Sequence, residues 1–423
     1  MTKTAPFPFL FGGATSSHQV EGFNQGNDWW DWEIAGRVPH RSGAACGQYE
    51  RFREDLDIAA RLGHNAYRFS IEWSRIQPDK NQWDEKALLH YQELAREARR
   101  RGLEPIVTLH HFTNPMWFVH KGGWLSGGAV TDFEHFTRKT VEFLGAHVRF
   151  WITINEPMVY IYKGFFEGAW PPGLRSACAS IRVLRNMLRG HVQAYWELHR
   201  FYERNQLGPV WISLAKHVIQ FDPCRSFSRK DRIVTAARNW FFNDLVLEAL
   251  TNGYFFLPGF AAEFLPLRDS LDYIGINYYF RDFIRFDHMT RKDPLGEICD
   301  KQHHQSQITG VTQMGWEVRP EGLYERLLAL RRFGKPVMIT ENGVATLDEN
   351  QRENYITNHL SYTALAMKEG VDVWGYLYWS LIDNFEWDKG FGPKFGLVGL
   401  GNQAERRIKS SAHVLTDTCR KLF

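Results

Sequence analysis

The chain has 423 residues, of which 44% are hydrophobic, 15% aromatic and 23% charged, with a formal net charge of +3. That balance supplies a large globular core and excludes disordered and fibrous polymers, and the lack of a like-charge block beyond Arg99-Arg100-Arg101 gives nucleic acid or an anionic membrane no footprint. No stretch of about 18 apolar residues could span a bilayer, no secretion signal is evident at the N-terminus, and five scattered cysteines (Cys46, Cys178, Cys224, Cys299, Cys419) without a C-x-x-C spacing suit a reduced, cytoplasmic protein.

The first strand is predicted over residues 10–15. Tyr49, Phe52, Leu56 and Ala59 then recur at helical spacing, a strand follows at 66–71, and Leu88, Tyr91, Ala95 and Ala98 mark the next helix. The alternation continues: strand 105–110, helix 131–146, strand 150–155, helix 179–205, strand 210–217, helix 230–251, strand 272–277, helix 320–332, strand 337–340, helix 350–369, strand 373–379, helix 405–420. Eight β–α units without a linker predict an α/β fold, a single (β/α)8 TIM barrel domain over residues 1–423. Long loops at the C-terminal face of the strands are expected at 16–47, 280–315 and 380–404. An open sheet with a dinucleotide cofactor is the competing architecture, supported by Gly396-Leu397-Val398-Gly399-Leu400-Gly401. Its glycines stand in the wrong order and no βαβ unit follows, so no cofactor is expected.

Two acidic residues end strands that read as buried on both faces: Glu156 in Thr153-Ile154-Asn155-Glu156-Pro157 and Glu341 in Thr340-Glu341-Asn342-Gly343. A carboxylate there must be paired, hydrogen-bonded or chemically employed. The motifs of an activated serine, a phosphate cradle and a helical zinc site are absent from the sequence. His110 and His111, neighbours on a strand, point to opposite faces and would not share a metal. His303 and His304 fall in a polar loop and are expected to be solvated, so no metal site is predicted. Two strand-end carboxylates then leave glycosidic bond cleavage or an aspartic-protease dyad, and the dyad belongs to a different, two-lobed β architecture. Sixteen tryptophans favour sugar chemistry, because flat aromatic faces suit the C–H faces of pyranose rings. Trp29-Trp30-Asp31-Trp32, Trp316, Trp374, Trp379 and Trp387 are expected near the strand-end loops.

Six motifs in order resemble glycoside hydrolase family 1: Ser17-His18-Gln19-Val20-Glu21-Gly22, Arg68-Phe69-Ser70-Ile71-Glu72-Trp73, Asn155-Glu156-Pro157, Gly275-Ile276-Asn277-Tyr278-Tyr279, Thr340-Glu341-Asn342-Gly343 and the run from Trp379 to Trp387. The resemblance covers residues 9–412 and implies retaining hydrolysis of β-glycosides on a (β/α)8 barrel. It makes Glu341 the nucleophile and Glu156 the acid/base, with Arg68 holding Glu341 ionised, that charge keeping Glu156 protonated, and Tyr279 hydrogen-bonded to the nucleophile.

By the same resemblance Gln19, His111, Asn155, Trp379, Glu386 and Trp387 bind the glycone, while Asn277, Trp316 and Phe395 complete the substrate-binding set. Retention of Glu386 and Trp387 argues against a 6-phosphosugar, which a Glu386 carboxylate would repel and for which Lys394 alone forms no clamp. The expected substrate is a small-molecule β-glucoside, with β-galactosides and β-fucosides secondary. A β-galactosidase or transglycosylase of the same family, and a non-catalytic sugar-binding barrel, are the alternatives. Departures from the family pattern are Phe112-Thr113-Asn114 after His111, and Met158, where an aglycone-side tryptophan is common. Oligomeric state is left open.

Overall fold

A computed structural model describes residues 6–257, 263–264, 269–286, 295–300, 302–304 and 310–423. Eight strands form the barrel: β1 (Leu10–Ala14), β2 (Ala66–Ser70), β3 (Glu104–His110), β4 (Phe150–Asn155), β5 (Trp211–Pro223), β6 (Ile274–Arg285), β7 (Val337–Asn342) and β8 (Val373–Trp379). Each pairs in parallel with the next, and β8 closes on β1 in the register Leu10↔Gly375 to Ala14↔Trp379. Closure leaves no barrel strand with an open edge, and the apolar strand runs are the consequence of covering both faces.

Helices alternate with the strands: α1 (Gln48–Arg61), α2 (Glu85–Arg100), α3 (Ala129–Leu144), α4 (Ala177–Asn205), α5 (Arg229–Asn239), α6 (Pro320–Leu330), α7 (Glu349–Lys368) and α8 (Ser411–Leu422). Local chemistry fixes their starts. The side chains of Asp84, Ser176, Ser228 and Asp348 accept backbone N–H groups of the first turns of α2, α4, α5 and α7. One apolar cluster fills the barrel interior, including Leu10, Ala66, Ile106, Phe150, Ile152, Met338 and Leu377. A larger one lies between strands and helices, where Phe52, Leu88, Phe133, Leu184 and Leu360 are fully or almost fully buried. No helix among the described residues is long and apolar enough to cross a membrane.

Three departures from the sequence-based expectation have local causes. The helix expected over 230–251 is interrupted by a π-helical turn, Trp240–Asp244, before a last helical segment, Leu245–Asn252. Asn243 in that turn bonds both backbone groups of Ile219, at 3.0 and 2.8 Å, and the widened turn lets it reach β5. The helix expected from 405 starts only at Ser411, because Arg406–Ile408 pairs antiparallel with Val398–Leu400 and Arg406 binds the buried Asp55 at 2.8 Å. Finally, β5 and β6 run past the barrel rim as a parallel ribbon, Gln220↔Arg281 to Pro223↔Ile284, with Glu297–Ile298 added antiparallel to β6. Part of the expected 280–315 loop is therefore strand, and part of it lies outside the described residues.

Candidate active site

Glu156 and Glu341 meet at the C-terminal mouth of the barrel, both lining one cavity of about 490 Å³. Glu341 sits within the last turns of β7, where Gly343 follows closely. A Cβ on Gly343 would lie 1.8 Å from the Trp379 carbonyl oxygen, so the glycine lets β7 end against β8. Glu156 follows β4 directly and takes a left-handed conformation (φ 45°, ψ 61°) before the helix Pro157–Ile161. Phe112 (φ 72°) and Trp387 (φ 48°) share that region and the same cavity. A non-glycine residue held there costs about 1–3 kcal/mol, a cost the surrounding packing must offset.

Arg68 on β2, completely buried, organises the floor. It donates to Glu341 Oε1 at 2.6 Å, Thr340 O at 2.9 Å, Asn155 Oδ1 at 2.7 Å and Thr108 Oγ1 at 3.1 Å. The Tyr279 hydroxyl donates to Glu341 Oε2 at 2.6 Å, so both Glu341 carboxyl oxygens are held. Asn277 Nδ2 donates to Glu156 Oε1 at 2.7 Å and Asn155 Oδ1 at 3.2 Å, and its own oxygen accepts from Thr340 Oγ1 at 2.6 Å. One hydrogen-bonded network thus fixes both carboxyl groups.

The glycone-side residues converge as expected from the motifs. Gln19 Nε2 donates to Phe385 O at 2.8 Å and Glu386 Oε2 at 3.2 Å, while its oxygen accepts from Ser16 at 2.6 Å. His111 Nε2 is 3.3 Å from Asn155 Nδ2. With Asn155 donating there, the ring proton resides on Nδ1, a buried nitrogen without a partner among the described residues. Burial and the Arg68 charge hold His111 neutral, well below the usual imidazole range. Its ring lies parallel to Trp379 (5.9 Å) and Trp387 (6.3 Å), building a continuous aromatic wall. Trp316 packs on Tyr279 (5.4 Å) and Phe280 (4.9 Å), with Phe395 at 6.1 Å from both Tyr279 and Trp316.

His217, at the β5 rim, was not singled out by its sequence context. Its Nδ1 lies 3.2 Å from Glu156 Oε1, and its ring lies over Tyr279 at 5.8 Å. Lys216-His217 interrupts the apolar run of β5, which marks a polar pair there, but only tertiary placement shows that His217 meets Glu156. Trp170, Val159, Tyr162 and Phe242 also line the cavity and were not signalled by any motif.

Opposing influences act on the proton balance of the two carboxyls. Burial pushes the Glu341 carboxyl up to about 7, against the opposing charge of Arg68 and the Tyr279 hydroxyl. Burial also acts to raise Glu156, but the His217 ring and the Asn277 amide outweigh it and hold Glu156 below the usual range. The negative charge of Glu156 opposes that of Glu341, so the two carboxyls titrate as a pair. The Arg68 guanidinium at 2.6 Å and the Tyr279 hydroxyl at 2.6 Å act to draw the negative charge of that pair to Glu341, leaving the proton to Glu156.

Other expectations need correction. Burial, with the nearby Glu341 and Asp388, pushes Glu386 up to about 8, so it faces the cavity as a neutral acid at pH 7. A neutral Glu386 removes the expected carboxylate repulsion of a phosphate, and the lysines form no clamp: Lys389 at the rim is paired with Asp388 at 3.0 Å, and Lys394 does not line the cavity. Trp374 is remote from the strand-end loops: second in β8, it packs on Phe7, Trp211 and Tyr273 at the opposite barrel end. Trp29 backs Trp387 from behind at 4.7 Å. Met158 lines an adjoining apolar pocket with Ile161, Phe241 and Phe242, not the catalytic cavity. His304, expected in solvent, is 4% exposed and stacks on Phe283 at 3.6 Å, whereas His303 is exposed.

The geometry agrees with comparisons to known proteins. The model of Glycosyl hydrolase family 1 matches residues 1–421. β-Glucosidase A of Thermotoga maritima is 31% identical over 440 residues, covering 96% of this chain and 95% of that protein. A β-galactosidase of Pyrococcus woesei is 28% identical over 485 residues, covering 95% and 94%. Among solved structures, a β-glycosidase from Pyrococcus horikoshii superposes with a TM-score of 0.90 at 41% identity, covering 99% of this chain and 96% of that one. The Thermotoga maritima β-glucosidase in complex with deoxynojirimycin gives 0.89 at 30% identity, covering 99% of each. The chain belongs to glycosyl hydrolase family 1.

Proposed function

We propose that this protein hydrolyses β-glucosides with retention of configuration, by double displacement. The observation that carries the reading is the unequal tethering of two carboxyl groups on one cavity, Glu341 by Arg68 and Tyr279, Glu156 by Asn277 and His217. Retaining glycosidases need two such groups roughly 5–5.5 Å apart, one attacking the anomeric carbon while the other protonates the leaving oxygen.

In the first step Glu341 displaces the aglycone and Glu156 supplies its proton. Formation of the glycosyl ester removes the Glu341 charge, so Glu156, still hydrogen-bonded to Asn277, ionises more readily and accepts a proton from water in the second step. Arg68 and Tyr279 stay in place and stabilise the carboxylate as it leaves. His111 Nδ1, Gln19 and the neutral Glu386 offer hydrogen bonds to sugar hydroxyls, and Trp379 offers a flat apolar face.

Two of the similar proteins are named β-glucosidases or β-glycosidases and one a β-galactosidase. Those names support a glucoside as preferred substrate and galactosides as secondary, and we place fucosides beside the galactosides. The unpaired, exposed Cys178 suits a reducing cytoplasm. The test is a panel of chromogenic β-glucoside, β-galactoside, β-fucoside, β-mannoside and 6-phospho-β-glucoside with wild type, Glu341→Ala and Glu156→Ala. Near-normal turnover by Glu341→Ala, or a higher kcat/KM on the phosphosugar, refutes the reading. Azide rescue of Glu341→Ala giving the inverted glycosyl azide supports it.

A further inference from the structure

Outside the catalytic cavity, two thiols and an imidazole meet at the outer end of the β5–β6 ribbon. Cys224 follows β5 and donates its N–H to Ile284 O at 2.8 Å; Cys299 follows the added strand and donates to Phe283 O at 2.7 Å. The two cysteines therefore flank β6 from its two sides at adjacent residues. His304 is laid flat over Phe283, 3.6 Å between ring centroids and 4° between planes. One ligand atom from each of Cys224, Cys299 and His304 lies within 4.8 Å of the others.

The burial of His304 is not explained by hydrogen bonding to the described residues. His304 is 4% exposed, yet neither of its ring nitrogens has a partner among the described residues. Leaving a buried polar group unpaired costs about 1–3 kcal/mol. Cys299 is 3% exposed, and its sulfur lies 3.5 Å from Nδ1 of the exposed His303, a donor beside the cluster that touches one of its three members.

We propose that Cys224, Cys299 and His304 bind a zinc ion, with the neighbouring His303 rotating in to complete a tetrahedral shell, as a structural staple on the ribbon that leads from the cavity of Glu156 and Glu341. Thiolate and imidazole donors select zinc over hard cations such as magnesium or calcium. Zn–S bonds of about 2.3 Å and Zn–N bonds of about 2.0–2.1 Å put tetrahedral ligand atoms roughly 3.4–3.8 Å apart, so small side-chain rotations close the cluster around one ion. Binding releases two thiol protons and leaves the ion without a catalytic water, and β-glycoside hydrolysis does not pass through it. The sequence hides the site because its ligands lie 75 positions apart, 224 against 299, without a C-x-x-C pair.

The test uses untagged full-length protein from zinc-supplemented culture. Elemental analysis after gel filtration is expected to give one zinc per chain, falling to background in Cys299→Ser and His304→Ala. Independently of any variant, wild-type protein stripped by chelator and titrated with cobalt(II) is expected to show a sulfur-to-cobalt charge-transfer band and intense tetrahedral d–d bands. Wild-type protein with background zinc and no charge-transfer band overturns the proposal. A Cys224–Cys299 disulfide in freshly purified protein, found by thiol titration and peptide mass, also overturns it.

Discussion

Replacing Tyr279 with Phe removes a single oxygen from the nucleophile's surroundings. The ring keeps its packing against His217, Trp316 and Phe395, at centroid distances of 5.8, 5.4 and 6.1 Å. What is lost is the 2.6 Å hydrogen bond to Glu341 Oε2, short enough to be charge-assisted. Such a bond is worth about 1.5–3 kcal/mol. Losing it leaves less Glu341 ionised, so on the acidic limb kcat/KM for a chromogenic β-glucoside falls roughly 10- to 150-fold. The pH dependence carries a sign. The phenol favours the ionised carboxyl, so without it Glu341, already pushed up to about 7 by burial, moves higher. The acidic limb of the kcat/KM profile therefore shifts to higher pH, with unfolding by heat almost unchanged. A Tyr279→Phe enzyme whose profile superimposes on wild type, with less than about threefold loss, refutes the assignment of Tyr279 to the nucleophile.

Three further outcomes follow from the same geometry. His217→Phe removes the group that holds Glu156 below its usual range, so Glu156 stays protonated to higher pH and the basic limb of kcat/KM moves up; an unmoved basic limb contradicts the pairing. In Glu386→Gln the amide imitates an acid that is neutral below about 8, and kcat/KM on glucosides should fall less than in Glu386→Ala, a ranking that steady-state kinetics at pH 6.5–7 checks. Lys216 is completely buried over the Phe242 ring at 4.4 Å, and burial pulls it down to about 7. Between about 7 and 10.5 the unfolded chain holds a proton that the folded chain lacks, so the folded state is penalised as pH falls through that window, and fully so below 7. Lys216→Met is expected to stabilise by about 1–3 kcal/mol at pH 7, with the gain shrinking toward pH 10; a calorimetric Tm that falls equally at both pH values refutes this.

Glu156 and Glu341 were readable from sequence because each interrupts a run that otherwise satisfies a strand buried on both faces. The eight-fold alternation was readable for the same reason, since covering both faces of a parallel sheet demands helices between strands. His217 was not, because an imidazole within a buried strand carries no mark of its neighbour 61 positions upstream. Trp374 shows the limit of a two-sided apolar strand: the pattern locates β8 but does not say which barrel end a given ring serves. Met158 follows the acid/base by two positions, yet the left-handed backbone at Glu156 turns the short helix so that Met158 faces the apolar pocket. His304 was misplaced because a polar loop reads as solvated, whereas the extended β6 gives that loop a surface, Phe283, to fold against.

The assignment of Glu341 as nucleophile is tested most directly by trapping with an activated 2-deoxy-2-fluoro-β-glucoside, followed by peptide mass mapping. The account predicts time-dependent inactivation with one fluoroglucosyl group on Glu341, reactivation on adding a β-glucoside acceptor, and β-glucose as the first product seen by NMR during normal turnover. A label on another residue, or α-glucose as the first product, contradicts it.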